Sequence, residues 1–280
     1  MAGVDLHVHT NASDGRYAPS ELIAKAARAG LTFLAITDHD TVAGIVPALE
    51  AARSFPALKV IPGVEINTDV PGGEAHVLGY FIDYEHAGLL SLLSDMRLSR
   101  QDRGQRMVER LAKLGLPLSW ERVKEIGDTE AIGRPHIAQA MLEKGYITSI
   151  KDAFDRYIGF GGPAYVERNK VSPADAVNSI LKAGGLPVLA HPLTMAEPEA
   201  MIRDLKAAGL VGIEVYYGSY SAPEVSRLLT LANKYNLIAT GGSDFHGLDE
   251  KTETGLGESR VPEASARALV AMAGARAAGT

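Results

Sequence analysis

Near its amino terminus the chain reads Val4-Asp5-Leu6-His7-Val8-His9-Thr10. Apolar and polar residues alternate there as on a half-buried β-strand, so His7 and His9 project from one face. Two imidazoles side by side on a strand can clamp a transition metal, although two solvent-facing histidines on an edge strand would read the same way. The remaining chain bears on that choice, because ligand-type residues keep arriving at strand ends.

Ala18-Pro19-Ser20-Glu21 opens a helix that Gly30 closes, and Leu31–Thr37 is a short apolar run bounded by Gly30 and Asp38, as in a buried parallel strand. A helix near Val46–Ser54 and a strand at Lys59–Ile66 complete a βαβαβ pattern, which implies a parallel sheet or barrel. The stretch from Ile66 to Ala75 is too short for a crossover helix, so His76–Ile82 is expected to return as a hairpin strand. A turn centred on Pro71-Gly72-Gly73 would set Glu65 and His76 almost opposite one another.

From about His86 to Glu167 strand signals vanish. Leu89–Leu114 reads as one long helix, followed by shorter ones near Trp120–Ile126, Pro135–Glu143 and Ile150–Tyr157. Residues 97–167 therefore read as a helical insertion, or cap, in an α/β domain built from residues 1–96 and 168–280. Alternation then resumes with helices at Pro173–Ala183, Pro198–Ala208 and Pro223–Tyr235. They precede strands at Leu186–Ala190, Gly212–Tyr216 and Leu237–Thr240, and Pro262–Ala273 reads as a closing helix. Seven strand signals point to a closed or nearly closed barrel rather than an open doubly wound sheet.

Composition narrows the chemistry. The 280 residues carry a net charge of −6, which speaks against a broad basic surface for duplex DNA or an anionic membrane. No cysteine is present, so disulfides, thiolate sites and cysteine nucleophiles are excluded, and any metal must be held by nitrogen and oxygen. The first strand follows the start directly, without an apolar leader, and cytoplasmic residence is the expectation.

Candidate ligands gather for one reason: in parallel α/β barrels the loops after the strands emerge on one face. His7 and His9 end the first strand with Asp14 just beyond, and His39 follows the second within Thr37-Asp38-His39-Asp40. Glu65 ends the third, His76 lies across from it, and His191 follows the fifth in Ala190-His191-Pro192. Asp244 and His246 follow the last strand in Gly242-Ser243-Asp244-Phe245-His246. Singly, each has a structural reading, an aspartate after a strand being a common helix cap. Jointly they read as a metal centre.

The His-x-His start, the Ser13-Asp14-Gly15 loop, Thr-Asp-His-Asp, the strand-ending Glu65, Ala-His-Pro and the Ser-Asp-x-His close together resemble the PHP (polymerase and histidinol phosphatase) phosphoesterases. The resemblance implies a distorted seven-stranded, TIM-like β/α barrel with three divalent metal ions, manganese being the expected identity and iron or zinc the alternatives. It assigns His7, His9, Glu65 and Asp244 to one ion. Glu65 bridges to a second held with His76 and His191, and Asp14, His39 and His246 hold the third. Such a charge surplus suits a phosphate ester and a hydroxide bridging the metals. The candidate catalytic residues are His191, His136 and Asp40. Asp38 and Asp40 would orient ligands or shuttle protons, or serve only as a turn and a cap.

The insertion must choose the substrate. Arg97, Arg100, Arg103, Arg106 and Arg110 lie along one helix, but with Asp102 and Glu109 interleaved most of them read as a solvated face. Arg134 and His136 stand instead at a helix N-terminus, which favours an anion. A cap containing Arg-Pro-His resembles the nucleotide-acting PHP subgroup. That implies removal of the 3′-phosphate from nucleoside 3′,5′-bisphosphates, and trimming of short RNA from its 5′ end as a related activity. Arg103 and Arg134 would hold the non-reacting phosphate, and His136 would contact phosphate or protonate the leaving group. His86 reads as a surface or cap residue. The alternatives are histidinol-phosphate phosphatase and, in another class, a non-catalytic scaffold module.

Overall fold

A computed structural model describes residues 3–70, 73–127, 132–167, 171–248 and 253–278. Its elements run β1 (Gly3–Val8), α1 (Pro19–Arg28), β2 (Leu31–Ile36), α2 (Ile45–Ala52), β3 (Lys59–Val70) and β4 (Gly73–Tyr80). A run of helices follows: α3 (Ala87–Lys113), α4 (Trp120–Gly127), α5 (Arg134–Glu143) and α6 (Ile150–Ala153), the last passing into a π turn at Phe154–Ile158. Then come α7 (Pro173–Lys182), β5 (Leu186–Leu189), α8 (Pro198–Ala208), β6 (Gly212–Tyr217), α9 (Ala222–Lys234), β7 (Ile238–Gly242) and α10 (Glu263–Ala278). Among the described residues no helix is long and apolar enough to cross a membrane.

The seven strands form one sheet in sequence order. β1–β2–β3 and β5–β6–β7 pair in parallel, and β4 runs against both of its neighbours. The hairpin is as expected, although residues 71–72 of its anticipated turn lie outside the described residues. Its register is not the expected one: Val70 pairs with Gly73, so Glu65 faces Leu78 and His76 faces Asn67. Glu65 and His76 are thus diagonal neighbours on one face, two positions apart.

The barrel closes where the loop after β7 meets β1. His9 N–H donates to the Phe245 carbonyl at 2.9 Å, and Asp244 N–H donates to the His7 carbonyl at 2.9 Å. A Cβ at Gly242 would lie 2.4 Å from that of His7, so only glycine permits this approach. β1 itself stops at Val8, short of the expected Thr10, because the Thr10 N–H turns away to the Asp38 carboxylate at 2.7 Å. Buried Asp5 completes the seam by accepting from Ser243 N–H (2.9 Å), Ser243 Oγ (2.6 Å) and Gly257 N–H (2.8 Å).

Apolar packing falls into three clusters. One joins the sheet to α1, α2, α7, α8, α9 and the start of α3, through residues such as Leu22, Ile45, Ile180 and Leu228. A second joins alternate strand positions, among them Leu6, Phe33 and Val188, to Leu269 of α10. The third lies within the insertion. α3 runs unbroken through residues 96 and 97, giving Leu89, Leu93 and Met96 to the first cluster and Met107, Val108 and Leu111 to the third. His86 caps α3, its Nδ1 accepting from Leu89 N–H at 3.1 Å.

Replacing Asp5 by alanine strands three buried donors. The Asp5→Ala variant is expected to lose about 3 kcal/mol of unfolding free energy. Urea denaturation of the metal-free protein checks this, and a loss below roughly 1 kcal/mol would show that the seam closes without the carboxylate.

Candidate metal centre

All nine expected ligand residues meet at one rim. His7, His9, Glu65 and Asp244 form one group; His9, Asp14, His39 and His246 a second; His39, Glu65 and His76 a third, with ligand atoms in each group within 4.8 Å of one another. His191 joins through Nε2, 3.2 Å from Glu65 Oε1. β4 delivers His76 to this rim because, running backwards, it presents its first half where the parallel strands present their last. β1 itself carries His7 and β3 carries Glu65, and the loops after β1, β2, β5 and β7 supply the rest.

Buried Glu65 lies at the centre. Its Oε1 is 2.8 Å from His76 Nδ1, and its Oε2 is 2.8 Å from His39 Nδ1, 3.2 Å from His7 Nε2 and 3.3 Å from His9 Nε2. Yet Glu65 Oε2, His7 Nε2, His9 Nδ1, Asp14 Oδ1 and His76 Nε2 are all buried without a hydrogen-bond partner. Such atoms each cost about 1–3 kcal/mol when left unsatisfied. Five of them converging is the donor arrangement that divalent cations satisfy, and an all-nitrogen-and-oxygen set suits manganese, iron or zinc.

Charge in the metal-free cluster follows from the same crowding. Burial acts against the charged forms of Asp14, Glu65 and Asp244, but the surrounding imidazoles hold all three well below the usual carboxylate range. Burial likewise opposes protonation of His7, His76 and His246. Carboxylates outweigh it, lifting His7 well above its ordinary value, His76 to about 9 and His246 to about 10. His9 goes the other way, to about 3, because burial acts together with its imidazole neighbours.

Several groups that sequence reasoning passed over set the ligand geometry. Buried Glu214 lies 3.1 Å from His7 Nδ1 through Oε1 and accepts from His191 N–H at 2.8 Å through Oε2. It thereby leaves His7 Nε2 facing the cluster. An acid inside the otherwise apolar Gly212-Ile213-Glu214-Val215 was the available signal. Tyr217 OH donates to Asp244 Oδ2 at 2.8 Å, and the Asn67 amide lies 3.0 Å from His39 Nδ1. Asp38, already expected from the sequence as an orienting or turn residue, accepts from Thr10 N–H and from Ser13 Oγ (2.8 Å), fixing the loop that carries Asp14. His191 (φ 25°), Asp244 (φ 56°) and Asp40 (φ 51°) all hold positive φ, a strained conformation that tertiary contacts must maintain.

The insertion covers the cluster. Between them lies a pocket of about 170 Å³, walled by Asp14, His39 and His76 on the barrel side and Arg100, Arg103 and Arg134 on the other. Arg100 departs from the expected solvated face at 5% exposed, and Arg103, expected as a phosphate contact, is 3% exposed, because that face of α3 meets the rim. Glu74 of β4 pairs with both Arg103 (3.3 Å) and Arg134, and the Arg134 guanidinium lies 5.3 Å above the Phe154 ring. Asp40 accepts from Arg100 Nε at 2.5 Å and from Asn67 N–H at 3.0 Å. His136 uses Nδ1 to accept from Gly133 N–H at 3.0 Å, closing the first turn of α5. It lines the adjoining groove beside Ser13 and Asp14, and burial pushes its pKa down.

A barrel whose rim gathers buried imidazoles and carboxylates under a basic cap is the framework of a metal-dependent hydrolase. The chain belongs to the PHP family, whose PHP domain profile matches residues 5–170. It is similar to the 3′,5′-nucleoside bisphosphate phosphatase of Chromobacterium violaceum, 35% identical across 89% of each chain. It is also similar to the 5′-3′ exoribonuclease Rnm of Escherichia coli, 36% identical across 86% of this chain and 84% of the relative. A Bifidobacterium adolescentis structure described as a candidate metal-dependent phosphoesterase superposes with a TM-score of 0.86, at 33% identity and 96% coverage of both chains.

Two outcomes follow. At pH 7 metal binding must displace protons from His7, His76 and His246, so calorimetric heats in buffers of different ionisation enthalpy should reveal proton release. For the metal-free protein the sign is fixed: these raised values add stability that is full below pH 6.5 and lost as pH rises through about 9 and 10. Binding heats independent of buffer would refute the protonated cluster. Separately, Glu214→Gln presents an amide N–H to His7 Nδ1 and favours the wrong tautomer. Chelator competition should show metal affinity lowered roughly 10–100-fold.

Proposed function

We propose that the chain is a metal-dependent phosphoesterase that removes the 3′-phosphate from nucleoside 3′,5′-bisphosphates, with 5′→3′ trimming of short oligoribonucleotides as its companion activity. The names of its relatives support both substrate classes. The observation that carries the reading is a three-arginine wall directly beside a buried ligand cluster. A hydrolytic centre needs one phosphate, and such a wall provides for a second. Histidinol phosphate suits it less, since its ammonium group would meet the like charge of Arg103 and Arg134. A non-catalytic scaffold would have no use for five converging unsatisfied ligand atoms.

In this reading His7, His9, Glu65 and Asp244 hold one divalent ion, Glu65, His76 and His191 a second, and Asp14, His39 and His246 a third, with manganese the expected metal. When bound, the ions supply the positive charge that acidifies water and neutralises phosphoryl oxygens. The chain's own residues position the substrate. Arg103 and Arg134 grip the non-reacting phosphate, their forks already aligned by Glu74. His136, with Nδ1 committed to Gly133, has Nε2 left to meet substrate or the departing oxygen. Asp40, tied to Arg100 and Asn67, acts as a positioning residue. Residues 97–167 then form the substrate-selecting cap on a barrel of residues 1–96 and 168–280.

Phosphate release from a panel of 3′,5′-bisphosphonucleotides, histidinol phosphate and short 5′-phosphorylated RNA tests the assignment, and preference for histidinol phosphate would overturn it. Arg134→Ala should raise KM for a bisphosphate roughly 10–100-fold, and far more than for an aryl phosphate, which has no second anion to anchor. Equal losses on both substrates would remove the anchoring role.

A further inference from the structure

Three arginines wall the pocket, but they are not equivalent. Arg103 and Arg134 are both engaged by Glu74. Arg100 is held from the opposite side, its Nε on Asp40 Oδ2, leaving its buried Nη2 without a hydrogen-bond partner. The anchor is rigid: Asp40 N–H donates to the Glu65 carbonyl at 2.9 Å, and Arg97 Nη1 donates to the Asp40 carbonyl at 3.0 Å. Arg100 is thus tied, through Asp40, to the backbone that carries His39 and Glu65. Gly133 keeps room for it, since a Cβ there would lie 3.0 Å from Arg100 Nη1.

A buried guanidinium with an unused donor, fixed by Asp40 in the wall of a phosphate-sized pocket, is arranged for an anion. Resting on the phosphoesterase reading above, we propose that Arg100 contacts the reacting phosphoryl group itself, while Arg103 and Arg134 serve the distant one. In the step it serves, the oxygen of water bonds to phosphorus as the bond from phosphorus to the 3′ oxygen breaks. One water proton passes to the departing oxygen, and the products are inorganic phosphate and the 3′-alcohol. Arg100 neither gains nor loses a proton. Its guanidinium meets an equatorial oxygen on which negative charge collects, with Nε already held by Asp40.

The test is Arg100→Gln in the metal-loaded enzyme, assayed on a 3′,5′-bisphosphonucleotide and on 4-nitrophenyl phosphate, which has one phosphate only. Both should lose about 10²–10³-fold in kcat/KM, by similar factors. Calorimetric binding of inorganic phosphate should weaken as well, while metal content stays that of the wild type. A loss confined to the bisphosphate would place Arg100 with the distal pair and overturn the assignment, as would unaltered turnover. Arg100→Gly, if folded, should regain part of its activity on adding methylguanidine, which a merely structural role would not allow. If neither variant folds, Arg100→Lys decides: it should keep weak phosphate binding with lowered kcat on both substrates, and wild-type kcat would overturn the proposal. Turnover of the aryl phosphate does not depend on the identity of the natural substrate, so failure here is distinguishable from failure of the bisphosphate assignment.

Discussion

Glu65 is the charge around which the molecule is built. Its carboxylate is wholly buried, and imidazoles of His7, His9, His39, His76 and His191 all lie within 3.3 Å of one of its two oxygens. An isolated ion in such a place would cost several kcal/mol, so it persists only because compensating groups are delivered to fixed positions. Those groups come from β1, β4 and the loops after β2 and β5, and a barrel is the arrangement that brings strand ends from the whole chain to one rim. Closure between β1 and the loop after β7, and the glycine that permits it at Gly242, therefore serve the site as much as the fold.

The reversal at β4 gives this barrel its particular shape. A hairpin after β3 lets one strand contribute His76 to the cluster and, two residues earlier, Glu74 to the arginines of the insertion. Asp40 does the corresponding work on the other side through Arg97 and Arg100. The helices between β4 and β5 are thus fastened to the barrel by ion pairs at the pocket beside the cluster. In the proposed reading, the same side chains place these helices and recognise the anion, so a shift of the helices would disturb the arginines.

Most of the framework was legible in the sequence because it rests on local patterns. Strand alternation, Gly and Pro punctuation and ligand residues directly after strands each follow from a few neighbouring residues. Those signals gave the seven strands, the hairpin, the run of helices between β4 and β5 and the convergence of nine imidazole and carboxylate residues. What escaped depends on distant partners. Glu214 looks like an anomaly in an apolar strand until His7, 207 positions away, is placed beside it. Arg100 looks solvated until the rim is laid against that face of α3. The register of Glu65 against His76 hung on a turn whose pairing composition alone does not determine.

The pocket's charge balance explains why the arginines differ in readiness. Glu74 offers one negative charge to Arg103 and Arg134 together, and Asp40 offers one to Arg100. On the arginine wall alone, three guanidiniums against these two carboxylates leave a surplus of one positive charge in a partly enclosed space, where screening is weak. Without the two acids, three clustered cations would repel one another and splay. The two carboxylates keep the guanidinium forks ordered in the absence of ligand while leaving the pocket attractive to phosphate, so the geometry needed for recognition exists before the substrate arrives.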